Sequence, residues 1–205
     1  MKREEISIKV ILVVLLLVLF SSLILIGCGN YKIFMFDNNI ANCEFEYPAS
    51  YVVGDIIRGD FSTIAFALFT YKQVESSTNW STAYISISGR QKDVSFPDYH
   101  ALLEYNLKNA QQQYSIYGFN LVERSPLSIE NVLGEKIIYN YINPWDSEII
   151  EDEIVKMGPI SGIAYEAYFE NDGFLWTILF HATAQISAQA KADFEHILQT
   201  FKFLN

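Results

Sequence analysis

Histidine, cysteine and proline are scarce in this 205-residue chain, numbering three, two and five. Each scarcity excludes chemistry. His100, His181 and His196 form no i, i+4 pair, and neither His-x-x-x-His nor Cys-x-x-Cys occurs, so the spacing of a zinc site is missing. No Gly-x-Ser-x-Gly elbow presents a serine nucleophile; Ser161, within Gly158-Pro159-Ile160-Ser161-Gly162, reads as part of a turn between strands. No Gly-x-Gly-x-x-Gly or Walker-type run is there to cradle phosphate. Lys and Arg number 14 against 24 Asp and Glu, a formal charge of −10. Nucleic acid and anionic lipid surfaces need a basic face, and this balance argues against both as partners. With no internal repeat, low-complexity tract or Pro- or Gly-rich hinge, nothing splits the bulk of the chain.

What is present is clearest at the start. Lys2, Arg3 and Lys9 precede Val10 to Ile26, 17 residues without a charge. Leu25-Ile26-Gly27-Cys28 then resembles the lipobox of bacterial lipoproteins: an aliphatic residue, a tolerant position, a small residue, a cysteine. The chemistry accounts for the pattern. A thiol forms the thioether to diacylglycerol, a small residue lets the signal peptidase close on the backbone, and cleavage frees the Cys28 amino group for acylation. The reading divides the chain into a signal peptide at 1–27, a short membrane-proximal tether at 28–40 and a domain at 41–205. The membrane is then a partner through lipid on Cys28, and the domain lies on the extracytoplasmic face. An uncleaved membrane helix is the alternative for 1–27, since Glu4 and Glu5 dilute the basic start. At ~1.5 Å per residue the apolar run reaches roughly 25 Å, just short of the ~30 Å hydrocarbon core. Both readings export the remainder.

Residues 1–27 hold three Lys/Arg and two Glu, which leaves Cys28–Asn205 with a formal charge of −11. In the tether, Ile33-Phe34-Met35-Phe36 either dips into the membrane interface or packs on the domain as an extra strand. If Cys28 is acylated, Cys43 has no disulfide partner; if residues 1–27 are retained, a Cys28–Cys43 bridge becomes possible in an oxidising space.

Within the domain, Cys43–Tyr47 reads as a strand stopped by Pro48, and 62–71 and 83–88 are strand-like. Ser95 is placed as an N-cap, with Pro97 and Asp98 in the first turn and Leu103, Leu107, Ala110 and Tyr114 on one helical face. Gly118 ends that helix. Strands follow at 120–123 and 135–142, with Asn131–Gly134 turning between them and a loop at Asn143–Asp146. Ile163–Phe169 and Phe174–Ala182 flank Asp172-Gly173, a strong hairpin signal. Ser187 is placed as the cap of a last helix to Thr200, with Ala190, Phe194, Ile197, Leu198 and Phe201 facing inward. A hairpin followed by an amphipathic helix predicts an α+β domain, a mainly antiparallel sheet covered by helices.

Three segments together resemble the PsbP family and the related Ran-binding nuclear-import proteins. They are Phe45-Glu46-Tyr47-Pro48 followed by Tyr51; Leu133-Gly134-Glu135 leading into Ile137–Tyr141; and the closing run Tyr165–Phe169, Phe174–Phe180, Ser187–Thr200 and Phe201-Lys202-Phe203. The resemblance covers roughly Ala41 to Asn205 and rests on order and spacing. It implies an αβα sandwich with a central antiparallel sheet. Function does not follow from fold; the Ran-binding role is set aside because this chain is exported. A non-catalytic module that binds or helps assemble another envelope component fits the missing catalytic motifs. The alternative is an enzyme or small-ligand binder with a site between sheet and helix.

Few side chains stand out as site candidates. Glu148, Glu151 and Glu153, with Asp152, could offer carboxylate oxygens to Ca²⁺, though EF-hand spacing is absent; a charged strand edge explains them as well. No other cofactor is indicated. Trp80 and Trp145, set among turn residues, are either exposed partner anchors or caps on the core. Cys43 has no basic neighbour in sequence and reads as a small buried residue. His196 is expected to face solvent.

Overall fold

A computed structural model describes residues 31–36, 42–58, 65–71, 83–143, 146–150, 153–157 and 159–204, with side chains described except at 36, 54–58, 65–71, 146–150 and 153–157. The chain divides into two compact units, Met1–Tyr31 and Lys32–Asn205. Apart from Tyr31, the first lies outside the described residues, and Leu25, Ile26, Gly27 and Cys28 lie there with it.

Strand and helix patterns alternate as the residues dictate. The strands are β1 (Tyr31–Phe36), β2 (Cys43–Pro48), β3 (Tyr51–Arg58), β4 (Ala65–Tyr71), β5 (Ala83–Gln91), β6 (Phe119–Ile129), β7 (Val132–Asn143), β8 (Asp146–Ile150), β9 (Glu153–Met157), β10 (Ile160–Asn171), β11 (Phe174–Thr183) and β12 (Lys202–Phe203). Helix α1 (Tyr99–Tyr114) lies between β5 and β6, and α2 (Ser187–Thr200) between β11 and β12. Seven strands form one sheet in the order β3-β4-β5-β11-β10-β7-β6, and its six pairings are all antiparallel. A second sheet runs β1-β2-β12, and β8 pairs with β9.

Period-two alternation sends the central strands' side chains to opposite faces. On one face Ile137, Tyr139, Ala164, Tyr168 and Leu175 pack with Leu102, Leu103, Leu107 and Ala110 of α1. On the other, Ile138, Tyr165, Ala167, Phe169, Trp176, Ile178 and Phe180 pack with Phe194, Ile197 and Leu198 of α2, and with Phe45 of β2. Each such large side chain contributes roughly 1.5–3 kcal/mol by leaving water. The result is a helix, a sheet, and a layer of helix plus small sheet: the αβα, α+β arrangement expected. The predicted inner face of α2 is the buried one.

Local signals differ from expectation at four places. Asp98, not Ser95, caps α1: its Oδ1 accepts from the Ala101 N–H at 2.8 Å. Phe96 precedes Pro97 and is disfavoured from helix, so the helix starts later; the Ser95 N–H instead donates to Asp93 Oδ1 at 2.8 Å. Ser187 does not cap α2. A 3-10 turn at Ala184–Ile186 leads directly into the helix, so Ser187 already has helical φ −56° and ψ −37°, whereas a cap needs extended backbone. The β6–β7 turn is tighter than Asn131–Gly134. Glu130 and Asn131 make it, with φ of 47° and 72°, and Gly134 lies in β7, where a Cβ would strike the Tyr168 carbonyl oxygen and Phe169. Ile160–Gly162 belong to β10 rather than to a turn.

Tyr31–Phe36, within the segment read as a tether, forms β1. Phe34 is buried, with its ring 5.3 Å from Phe45, while Ile33 and Met35 point outward. Of the two alternatives for this segment, the extra strand is the one observed. Among the described residues no helix is long and apolar enough to cross a membrane.

Candidate functional site

The candidate site is a polar cluster on the α1 face of the sheet. Strand register explains how it forms. Tyr84 of β5, His181 of β11, Ala164 of β10 and Tyr139 of β7 lie in one row across the sheet, and Thr183, Gly162 and Tyr141 lie in the next. The central strand β10 offers only Ala164 and Gly162 in these rows. The space they leave is taken by the larger side chains on either side. A Cβ on Gly162 would come within 2.5 Å of the Tyr141 ring.

Glu166, two residues further along β10, is the buried charge of the cluster. Tyr139 Oη donates to its Oε1 at 2.7 Å and Tyr168 Oη to its Oε2 at 2.5 Å. Asn106 of α1 donates in turn to Tyr168 Oη at 3.2 Å. The buried acceptors are thereby satisfied, which a carboxylate in an apolar layer requires. His181, also buried, places Nε2 3.7 Å from Glu166 Oε1 and Nδ1 3.4 Å from Tyr141 Oη. Tyr84 stacks on the His181 ring at 4.8 Å, and Tyr114 at the end of α1 stacks on Tyr141 at 4.6 Å. Burial, with Tyr114 and the Glu166 charge adding to it, pushes Tyr84 up to about 12. The same two causes, burial first and the Glu166 charge second, raise Tyr114, Tyr139 and Tyr168. These phenols stay protonated, and Tyr139 and Tyr168 donate to Glu166.

Beside the cluster lies a cleft of about 250 Å³, bordered by Tyr84, Tyr141, Asn143, Gly162, His181 and Thr183. Thr183 is buried, and among the described residues its hydroxyl has no hydrogen-bond partner. An unmet buried hydroxyl costs about 1–3 kcal/mol, so its place on the cleft wall is informative. The arrangement can hold a small molecule by hydrogen bonds. Ser161 is exposed on β10.

Trp80, Trp145 and Glu151 lie outside the described residues. Glu148 and Glu153 lie in β8 and β9, where Glu148 faces Val155 and Glu153 faces Ile150 across the hairpin. Among the described residues no group of three or more His, Cys, Asp or Glu is placed to hold a metal ion. Cys43 is a buried free thiol, pushed up to about 12 by burial. His196 is not simply solvated: its Nε2 lies 2.8 Å from Glu46 Oε2, linking α2 to β2. The sequence did carry one unused signal for the cluster. Glu166 interrupts the otherwise uncharged run Ile163–Phe169 and shares its parity with Ala164 and Tyr168. Its meeting with His181 depends on the β10–β11 register.

No protein-family model matches the sequence, and no curated protein does. Comparison of structures finds the same architecture in known proteins. The solution structure of cyanobacterial PsbP (CyanoP) from Synechocystis sp. PCC 6803 matches with a TM-score of 0.53 and 12% identity, over 87% of this chain and 96% of that one. The crystal structure of LpqN, involved in cell envelope biogenesis of Mycobacterium tuberculosis, matches with a TM-score of 0.50 and 9% identity, over 86% and 93%. The chain therefore has a PsbP-like fold.

Proposed function

We propose that the chain is an extracytoplasmic lipoprotein, held at a bacterial membrane by lipid on Cys28. Its PsbP-like domain is a non-catalytic module that binds or helps assemble another envelope component. The observation that carries this reading is β1. Phe34 is part of the domain's core, and only Gly29 and Asn30 separate Cys28 from the strand in sequence. A lipid on Cys28 would keep the domain at the bilayer, where its partners would be other envelope components. The fold shared with LpqN, a protein of cell envelope biogenesis, supports the same setting.

Two measurements test this. Intact mass of the protein from membranes is expected to show an acylated N-terminal Cys28, and Cys28→Ala is expected to lose the lipid and retain residues 1–27. Unlipidated wild-type protein that keeps those residues would replace the anchor with a membrane helix. Cross-linking in intact cells is expected to recover one envelope protein well above an unrelated anchored lipoprotein; recovery no better than that control counts against a stable protein partner.

A second reading, a small-ligand site, is favoured by the cleft: among the described residues five polar side chains border it and the buried Thr183 hydroxyl there is unmet.

A further inference from the structure

We propose that the outer face of β1 rests on the lipid bilayer, with Ile33 and Met35 entering the interface between headgroups and acyl chains. The inference rests on the reading of the chain as membrane-held at its start, and it gives the domain a fixed face towards the membrane.

Alternation along β1 supplies the surface. Phe34 points into the core, and its neighbours Ile33 and Met35 point the other way, 65% and 62% exposed. Packing of Phe34 sets no demand for apolar residues at 33 and 35. Ile33 borders a shallow groove of about 160 Å³ with Glu44, Glu46, Thr200 and Lys202. The two carboxylates there belong to β2 and are engaged: Glu44 accepts from Lys202 Nζ at 2.8 Å, and Glu46 lies 2.8 Å from His196 Nε2. They confine the apolar strip to the outer strand.

The chain before the domain supplies the occupant. Val10 to Ile26 carries no charge, and Cys28 follows. Whether Cys28 is acylated or the stretch is retained as a helix, hydrocarbon adjoins Gly29 and Asn30 in sequence. Five residue steps lead from Cys28 to Ile33, so the two lie at most about 18 Å apart. Depth follows from the backbone. Among the described residues β1 is the outer strand of its sheet, and an open strand edge is not tolerated within the hydrocarbon core. The strand therefore lies among headgroups and water. Only the two side chains reach the acyl boundary, the outer ~5–10 Å that interfacial anchors occupy. The formal charge of −11 on Cys28–Asn205 makes this contact apolar and not electrostatic, so it forms on uncharged lipid.

The test uses the full-length protein, purified from membranes and reconstituted in phosphatidylcholine vesicles. An NBD fluorophore is attached in turn through Ile33→Cys, Met35→Cys and Ile116→Cys; Cys43 is buried and does not compete for the label. Ile116 is the control, apolar and 84% exposed, two residues beyond α1, which packs on the other face of the seven-stranded sheet. Lipid with a doxyl group near the carboxyl end of its acyl chain is expected to quench 33 and 35 at least about twofold and to leave 116 unchanged, the pattern of an interfacial contact. Wild-type protein photolysed with diazirine-bearing acyl chains is expected to carry adducts at Ile33 or Met35. If a labelled variant does not fold, these adducts decide alone. Intact mass of the same samples reports lipid on Cys28 and any retained residues 1–27. Membrane-bound protein with 33 and 35 as unquenched as 116 overturns the proposal and leaves the anchor standing. Equal quenching of all three also overturns it, because the contact then has no preferred face. Protein that carries neither lipid nor residues 1–27 and leaves the membrane overturns the membrane-held reading, and the proposal with it.

Discussion

Asp193 shows how a single residue departs from what its helix suggests. It lies on the buried side of α2, 2% exposed, and accepts from Gln189 Nε2 at 2.8 Å and from Tyr51 Oη at 3.5 Å. Burial raises its carboxyl above the usual range, and these donors and the neighbouring His196 only partly oppose it. The sign follows from linkage. A carboxyl raised on folding costs stability once pH exceeds its unfolded value of ~3.9, and the cost is removed on acidification. Asp193→Asn is therefore expected to melt a few degrees above wild type at pH 7, with the gap closing by pH 3. Thermal unfolding across that range checks it; a variant less stable at pH 7 would show that the charge is compensated. The helix sequence around Asp193 says nothing about the Tyr51 strand arriving beside it. Glu166 was hidden for the same reason. Its charge was visible and its partners were not.

The helices and hairpins are joined to one another by ions as well as by apolar packing. Arg124 of β6 holds Glu135 of β7 with two hydrogen bonds, at 2.5 and 3.1 Å, and reaches Glu104 of α1 at 2.6 Å. These bonds hold the Glu135 carboxyl below its usual range, with the nearby His100 assisting. One residue on, Lys136 points to the other face and lies 3.0 Å from Glu195 of α2. Consecutive residues of β7 thus tie the sheet to opposite helices. Arg124→Gln is expected to cost about 1 kcal/mol at pH 7, since the arginine is partly exposed and solvent screens it. A depressed carboxyl contributes above its unfolded value and loses that contribution as pH falls, so the cost should shrink by pH 3 in chemical denaturation. At this scale the sequence was most legible where chemistry is local. Asp172-Gly173 marked the β10–β11 turn, and Asp172 and Gly173 have φ of 50° and 80°. Pro126 did not end its strand, because β6 is an edge where a missing N–H is tolerated.

The whole domain has two cores separated by one sheet. Tyr168 and Leu175 serve the α1 side, while their chain neighbours Phe169 and Trp176 serve the α2 side. Because the same strands build both, loss of one face removes support from the other. Leu107→Ala and Phe194→Ala, on opposite faces, are each expected to cost about 2–5 kcal/mol. The two proteins should still unfold in one transition by both near- and far-ultraviolet circular dichroism. Two separated transitions would show that the faces fold independently.

The chain's own residues determined the alternation of its central strands, the inward stripe of each helix and the Asp172-Gly173 turn. All of these depend on neighbours within a few positions, where periodicity and turn chemistry act. Tertiary structure decided that Tyr31–Phe36 is a strand and that Asp98 rather than Ser95 opens α1. It also brought His181, Tyr141 and Thr183 to one cleft, with Glu166 beside it, from three strands. Their meeting depends on which residues of β7, β10 and β11 lie opposite one another. Register is set by the packing of whole faces, and a one-residue slip would have sent every member of the site to the other side of the sheet.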